Sequence, residues 1–578
     1  MGGKKTMKIL RVDMSKQTVK GEEIPEAYAG LGGRGLTSTV VNREVPPRCD
    51  PLDPENRLVF APGLLSGTSL INTSRVSIGG KSPLTGTIKE SNVGGTAGTA
   101  LGKLGIAAIV VEGASPDGKL FLLRIDERGE AAFVPADAFR KMRTYGFVDR
   151  MLEAYGRKTA VLAIGPAGEL GLAVASVQSS DLDGRPCRAA GRGGMGAVMG
   201  SKGLKAVVVD RRGKQAEAIA DPETFKKAAR DFAAIVKADP RSGGMMPSLG
   251  TAGLVGPVNS LGAFPSYNAR KGVFEGWERI SGEALAELLK KRGGNTTHKG
   301  CSQCIVNCSN EFVDPQGRYV TGSLEYETLW SMGGMTGIDD LDTIARMDRL
   351  CDDIGLDTMS MGVALAVAMD AGYKAFGDKE GALEMIEETA EGTAFGRILG
   401  NGPAAVGAHF GQDRVPVVKG QSIAAYDPRA MQGNGVTYAT SPMGADHTAG
   451  NLLGEYLAGN LDPLSPEGQV EASRRAQIAI AALDCTGLCL FAGFCLARPE
   501  ASEAFLRAMN ARWGTRLAPE DLSAMGLRVL REEREFNRRA GFTNEDDRLP
   551  RFFYEEPLPP HNTTVRITEE DLDRTFDF

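Results

Sequence analysis

Three cysteines, Cys301, Cys304 and Cys308, stand in the run Cys-Ser-Gln-Cys-Ile-Val-Asn-Cys, so three thiolates fall within eight residues. That spacing lets one loop and the start of a helix wrap a compact polynuclear metal centre, the ligand pattern of an iron-sulfur cluster. A fourth sulfur must come from elsewhere, and Cys351, Cys485, Cys489 and Cys495 are the candidates. Cys489 is favoured because it closes a short motif that recurs. Asp352-Asp-Ile-Gly-Leu-Asp357 and Asp484-Cys-Thr-Gly-Leu-Cys489 share the form D-x-x-G-L-(D/C). Zinc is the rival ion, since His298 lies three residues before Cys301 and would complete a Cys3His site. Zinc ribbons, however, bring their second ligand pair within a few tens of residues. Three buried thiols without metal are the bland alternative.

A second chemical signal is Arg188-Ala-Ala-Gly191-Arg192-Gly193-Gly194-Met-Gly196, which contains G-x-G-x-x-G. A dinucleotide fingerprint needs a full crossover helix after the glycines. The next strand-like run, Leu204 to Val209, begins too soon for one. What remains is a glycine-rich loop flanked by Arg188 and Arg192, suited to holding an anion against backbone N–H groups. Ser74-Arg75, Lys81-Ser-Pro-Leu-Thr-Gly86 and Ser91-Asn92-Val-Gly94-Gly95 make a second region of this kind. Two anion cradles predict a ligand with more than one phosphate.

Hydrolytic triads find little support, with only four histidines and no G-x-S-x-G elbow. His447 lies in the polar, turn-rich segment Ala439-Thr-Ser-Pro-Met-Gly-Ala-Asp-His447, an unusual place for a structural histidine. Glu327 follows the cysteine loop closely enough to share its neighbourhood, although a lone glutamate is usually solvated.

The elements that must position these groups change character along the chain. From Met7 to about Arg212, short β-branched runs such as Ala107 to Val111 and Ala206 to Val209 alternate with glycine-rich turns. After Arg212 the pattern becomes helical, with Ile344, Met347, Leu350, Cys351 and Ile354 on one face. The predicted fold is α+β: an N-terminal β-rich domain over 1–212, then two mainly α-helical domains over 213–420 and 421–578. The first helical domain holds the cysteine loop and the first D-x-x-G-L motif, the second His447 and the other copy. A chain of 578 residues accommodates several domains. Glycine, 74 of 578 residues, is well above the usual share of roughly 7%.

A net charge of -6 gives no basic patch for nucleic acid. Nine clustered cysteines suit reduced ligands better than a disulfide framework. Met1 to Thr6 match the loose acylation pattern, but read as an extension ahead of a strand, and no secretory signal follows, which predicts a cytoplasmic protein. Ile478 to Ala497 is apolar and about as long as a membrane span, yet contains Asp484 beside Gly487 and two nearby cysteines, Cys485 and Cys489, so it reads as a buried segment carrying a site and not as a span.

Taken together, the cysteine loop, the paired D-x-x-G-L motifs, RAAGRGGMGAVMGSKGLKA, KSPLTG, SNVGG, the early ILRVDMS and AYDPR at Ala425 to Arg429 closely resemble the aldehyde:ferredoxin oxidoreductase family of tungstopterin enzymes. The resemblance covers nearly the whole chain. It implies one tungsten, or molybdenum, held by two pterin cofactors whose phosphates are bridged by Mg2+, with a [4Fe-4S] cluster alongside. By the matched motifs, Arg75, Asn92, Gly94, Arg188, Ala189, Gly191 and Arg192 contact the pterins or their phosphates, and the backbone carbonyls of Asn92 and Ala189 ligate Mg2+. Asp352, Asp357, Asp484 and Leu488 belong to the two motifs that hold one pterin each, and Cys489 is the cluster's fourth ligand beside Cys301, Cys304 and Cys308.

Glu327, His447 and Tyr426 match the groups that line the family's substrate cavity. The implied reaction oxidises an aldehyde to its acid, or the reverse, and passes electrons to ferredoxin or an iron-sulfur partner subunit. Two other readings stay open: a subunit of the same fold that reduces an aromatic acyl-thioester, and an iron-sulfur or zinc scaffold. Some members carry a Glu-x-x-His pair that binds a metal between subunits, where this chain has Arg346 and Arg349. That leaves both a homodimer and a hetero-oligomer open. A lysine that some relatives place two residues after the histidine is Ala449 here, so substrate range does not carry over.

Overall fold

The computed structural model describes residues 7–214 and 219–578; the N-terminal hexapeptide with the acylation-like pattern lies outside them. The N-terminal region builds two six-stranded sheets. In spatial order, the first contains Thr18–Glu23, Lys8–Asp13, Ile106–Glu112, Leu58–Pro62, Val76–Lys81 and Ile88–Val93. The second runs Arg188–Ala190, Val177–Ser179, Thr159–Ala163, Leu204–Asp210, Phe121–Ile125 and Ala131–Pro135. Unbroken apolar runs such as IAAIVVE mark strands covered on both faces.

Alternation of side chains across each strand explains the layers. Val12, Phe60, Ile78 and Ile109 of the first sheet meet Leu123, Leu162, Val207 and Val209 of the second in one shared core. Their neighbours Val59, Ala108 and Val110 point outward onto Leu36 and Val40 of the helix Gly33–Glu44. On the other side, Leu122, Val161 and Val208 pack on Phe147, Val148 and Met151 of the helix Thr144–Tyr155. Ile88–Val93 and Arg188–Ala190 are the edge strands of their sheets, and they lie against each other. Edge strands leave backbone groups unpaired, so the seam between the sheets can present N–H and C=O groups to a ligand.

Beyond residue 219 helices dominate, with one addition the sequence pattern did not predict. Asn295–His298, Ser309–Val313 and Tyr319–Gly322 form a three-stranded antiparallel sheet. The three clustered cysteines occupy the loop between its first two strands, so no helix start takes part in the turn. The short helix Met195–Ser201 follows the glycine-rich block, too brief for a dinucleotide crossover.

The two D-x-x-G-L motifs adopt the same local structure. The helix Leu341–Ile354 ends at Gly355 with φ 81°, and the helix Gln469–Thr486 ends at Gly487 with φ 81°. A left-handed residue after the last turn is the usual place for glycine. Each motif also presses on a glycine of the β region. A Cβ on Gly165 would stand 2.1 Å from the Ile354 carbonyl oxygen, and one on Gly63 would stand 2.0 Å from Gly487 N. Backbone bonds complete both dockings: Ser176 N donates to Gly355 O, and Leu65 N to Thr486 O. The apolar stretch from Ile478 is interrupted at Gly487, and no helix of the described residues is long and apolar enough to cross a membrane.

Candidate functional site

A cavity of about 1110 Å³ opens where the sheet seam meets both D-x-x-G-L motifs. It brings together Arg75, Asn92, Gly94, Arg188, Ala189, Gly191, Arg192, Asp352, Asp357, Asp484, Leu488, Cys301, Cys304, Cys308, Cys489, Glu327, Tyr426 and His447, which all line it.

The cysteine loop is knitted to the β region around Asn72. Asn72 N donates to Gln303 O, its carbonyl accepts from Cys489 N at 2.8 Å, and its side-chain oxygen accepts from Ile305 N at 3.2 Å. Cys489 is thereby drawn to the same wall as Cys301, Cys304 and Cys308. Hydrogen bonds to sulfur follow: Gly95 N to Cys301 at 3.2 Å, Asn307 N to Cys304 at 3.3 Å, and Arg75 Nη2 to Cys489 at 3.7 Å. Burial, with the neighbouring Cys301 sulfur next, pushes the Cys304 thiol up to about 11. Thiolates held this way need a positive centre. The other candidates for a fourth ligand lie elsewhere. Cys351 is buried in the helical core, Cys485 donates to Ala481 O beneath Gly35, and Cys495 lies beside Ser242.

The geometry argues against zinc. Among the described residues no three of these sulfurs gather within 4.8 Å of one another, whereas a Zn–S bond of about 2.3 Å requires S···S edges of roughly 3.8 Å. His298 does not join them either. Its Nε2 faces Asp183 at 3.2 Å and Asp181 at 3.6 Å, and its Nδ1 faces Glu311 at 3.7 Å.

The glycine–arginine block lies on the sheet seam. Ala189 is exposed on the edge strand Arg188–Ala190, facing the strand that carries Asn92. A Cβ on Gly94 would stand 2.6 Å from Cys301 Sγ, so only glycine lets this strand end touch the cysteine loop. Arg75 joins the two walls, since Nη1 donates to Asn92 Oδ1 at 3.2 Å while Nη2 reaches Cys489. Arg188 pairs with Glu325 at 3.6 Å, and its Nε is buried without a hydrogen-bond partner. Buried donors of this kind cost free energy unless something accepts from them, which fits an anionic or polar occupant.

One expectation changes here. Lys81 to Gly86 is not an anion cradle: Lys81 Nζ is consumed by the carbonyls of Pro47 and Cys49, both at 2.6 Å, and Ser82 Oγ donates to Gly193 O. The segment props the glycine-rich loop from behind. Arg192 does border the cavity, but its guanidinium donates to Ala445 O at 2.8 Å and to Ser422, fixing the loop before His447. Asp357 likewise uses its carboxylate to cap the helix Thr358–Asp370 through Met359 N and Ser360 N.

Asp352 and Asp484 stand one turn before their left-handed glycines and face the cavity. Burial, then repulsion from Asp348, raises the Asp352 carboxyl well above its ordinary value. Burial and the neighbouring Glu90 push Asp484 up to about 8. Arg34 partly offsets this, lying 3.4 Å from Asp484 while it forms a buried bidentate pair with Glu533.

At the far end, Glu327 lies in the helical turn Tyr326–Leu329 and His447 starts the turn His447–Ala449. Glu327 Oε2 accepts from Ala425 N at 3.0 Å, and Oε1 lies 3.3 Å from His447 Nε2. Glu327 Oε1 and His447 Nδ1 are both buried without a hydrogen-bond partner, an unmet polar demand on a cavity-lining pair. Burial pushes Glu327 up to about 8 and His447 down to about 4. The Tyr426 ring stands beside the imidazole with centroids 5.9 Å apart, and burial followed by the Glu327 charge raises its phenol. Such a trio can orient a polar oxygen and move a proton. Lys89, Glu90, Arg34 and Asp446 add to the charged lining, and no sequence motif marked them.

Comparison with known proteins gives the family. The family model described as aldehyde ferredoxin oxidoreductase, N-terminal domain, matches residues 9–211, and that described as aldehyde ferredoxin oxidoreductase, domains 2 & 3, matches 227–577. A tungsten-containing aldehyde ferredoxin oxidoreductase of Pyrococcus horikoshii is 35% identical, covering 98% of this chain and 95% of the relative. Its Pyrococcus furiosus counterpart is 34% identical over 97% and 94%. A solved active-site complex BamBC of benzoyl coenzyme A reductase superposes with a TM-score of 0.80 over 99% of this chain and 94% of that one. At 21% identity that likeness speaks for the fold alone. Both halves of the chain are thus accounted for by one family, and the chain belongs to the aldehyde ferredoxin oxidoreductase family.

Proposed function

We propose that this protein oxidises aldehydes to carboxylic acids, or runs the reverse reaction, with ferredoxin or an iron-sulfur electron-transfer subunit as its redox partner. The observation that carries the reading is the Glu327–His447 pair, 3.3 Å apart, which holds two buried atoms without hydrogen-bond partners and lines the same cavity as four cysteines.

The lining suits a tungsten or molybdenum bis-pterin. Buried unpartnered Nε atoms on Arg188 and Arg192, both lining the cavity, fit a large polar occupant. Arg75, Asn92, Gly94, Arg188, Ala189, Gly191 and Arg192 would hold it from the sheet seam, and Asp352, Asp357, Asp484 and Leu488 from the helices. Backbone carbonyls of Asn92 and Ala189 would ligate Mg2+, and Cys301, Cys304, Cys308 and Cys489 a [4Fe-4S] cluster. When bound, these groups supply a two-electron acceptor and a one-electron outlet.

The protein's own residues do the rest. His447, neutral because it is buried, and the Tyr426 phenol hydrogen-bond the aldehyde oxygen. Glu327 takes a proton from the attacking water or from the substrate, and a base whose value lies near working pH suits that role. The apolar wall of Leu452, Leu453, Ala476 and Leu483 excludes water around the reacting carbon. Protein purified without air should contain tungsten or molybdenum with pterin and iron, and should reduce a viologen dye with at least one aldehyde of a panel. Zinc as the sole metal, or no turnover with any aldehyde, would overturn the reading.

A further inference from the structure

Lys89 sits on the cavity-edge strand Ile88–Val93, 2% exposed, and its ammonium lies 3.0 Å from Asp446 Oδ2. Asp446 directly precedes His447. Its other oxygen, Oδ1, accepts from Thr448 N at 3.0 Å and Thr448 Oγ1 at 2.7 Å, so one carboxylate grips the chain on both sides of the histidine. The turn is pinned again at Ala445 O, which accepts from Arg192 Nη1 and from Gln421 Nε2 at 2.7 Å. The glycine-rich block makes this reach possible: Gly193 has φ 86°, and a Cβ there would stand 2.5 Å from Lys89 Cγ. A buried ion pair that crosses from a sheet edge to an active-site turn fixes geometry, because losing either partner strands the other charge.

We propose that Lys89 is a positioning residue for aldehyde oxidation: through its ion pair with Asp446 it holds the 445–448 turn so that His447 stays beside Glu327 and over the substrate. The inference rests on the functional reading above. Lys89 touches neither His447 nor Glu327 in this scheme and acts only through Asp446.

The test uses holoenzyme purified without air, with tungsten, pterin and iron measured first. Lys89→Met and Asp446→Asn should each keep full cofactor content and lower kcat about 10- to 100-fold, with KM within about twofold. The double variant should be no worse than the worse single one, because the pair acts as a unit. Lys89→Arg, which keeps the charge, should recover most of kcat. Unchanged kcat, additive losses, or pterin lost in proportion to activity would overturn the proposal, the last making Lys89 a cofactor anchor. A crystal structure of Lys89→Met, or of Asp446→Asn if the first fails to fold, gives a readout that needs no turnover. His447 displaced from Glu327 supports the proposal, and His447 unmoved refutes it. Wild-type protein that oxidises no aldehyde would overturn the functional reading, and the displacement test would still decide this one.

Discussion

His447 Nε2 lies 3.3 Å from Glu327 Oε1, and burial moves the two groups in opposite directions, the carboxyl up to about 8 and the imidazole down to about 4. At neutral pH the pair is therefore mostly uncharged, which keeps it compatible with a water-poor cavity. Their values also separate their roles, since only Glu327 titrates across an ordinary assay range.

Activity should follow that carboxyl. Below about 8 Glu327 holds its proton and cannot act as a base, so kcat/KM should fall about tenfold per pH unit on the acid side. His447 stays neutral throughout and adds no limb of its own. Glu327→Gln should abolish turnover while metal and pterin contents stay at wild-type levels. A flat profile from pH 6 to 9, or a working Glu327→Gln enzyme, would remove Glu327 from the chemistry.

The cysteine assignment has a clean internal control. Cys489→Ser should cost iron relative to the expected four per chain or so and bleach the visible absorption of the cluster. Cys495→Ala changes a thiol that faces Ser242 outside the cavity, so it should leave the iron content alone. Equal iron in both variants would mean that the fourth ligand lies elsewhere.

What could be read from the sequence was chemistry packed into short spans. Cys301 to Cys308, the RGG block and the two D-x-x-G-L motifs carry their ligating groups at fixed local spacing, and the cavity gathers all of them. Charges that meet across the chain had no such signature. Lys89 finds Asp446 over 357 positions and Arg34 finds Glu533 over 499, and both look like surface residues in one dimension. Lys81 misled for a related reason: a lysine in a turn looks the same whether phosphate or the Pro47 and Cys49 carbonyls await it. The small sheet around the cysteines escaped because Asn295–His298 and Tyr319–Gly322 are four residues each and show no alternating run.

A stability prediction comes from Lys202, whose side chain is buried and donates to Asn56 O at 2.6 Å and Gly113 O at 3.3 Å. Burial, then the Arg57 charge, depresses it to about 7. An unfolded lysine titrates near about 10.4, so between those values the unfolded chain binds a proton that the folded chain does not. This site therefore adds stability as pH rises from about 7 towards 10. Lys202→Met should flatten the rise of the thermal midpoint across that window. Parallel curves for the two proteins would show that Lys202 stays charged in the fold.

The matched docking of the two D-x-x-G-L motifs makes the last prediction. Gly63 and Gly165 come from different sheets' connections, yet each meets the end of a motif helix at a distance no Cβ tolerates, 2.0 Å from Gly487 N and 2.1 Å from Ile354 O. Backbone cannot yield as a side-chain tip can, so alanine at either place must push a motif, and with it Asp484 or Asp352, out of the cavity wall. Overpacking of this kind costs about 1–3 kcal/mol. Gly63→Ala and Gly165→Ala should each lower the thermal midpoint and reduce bound pterin. Gly146→Ala is the control, since nothing lies within 4 Å of a Cβ there and the site is in the helix Thr144–Tyr155, where alanine is favoured over glycine. It should match or exceed wild-type stability with full cofactor. If all three variants bind pterin equally, the glycine contacts are incidental and the motifs are held by other means.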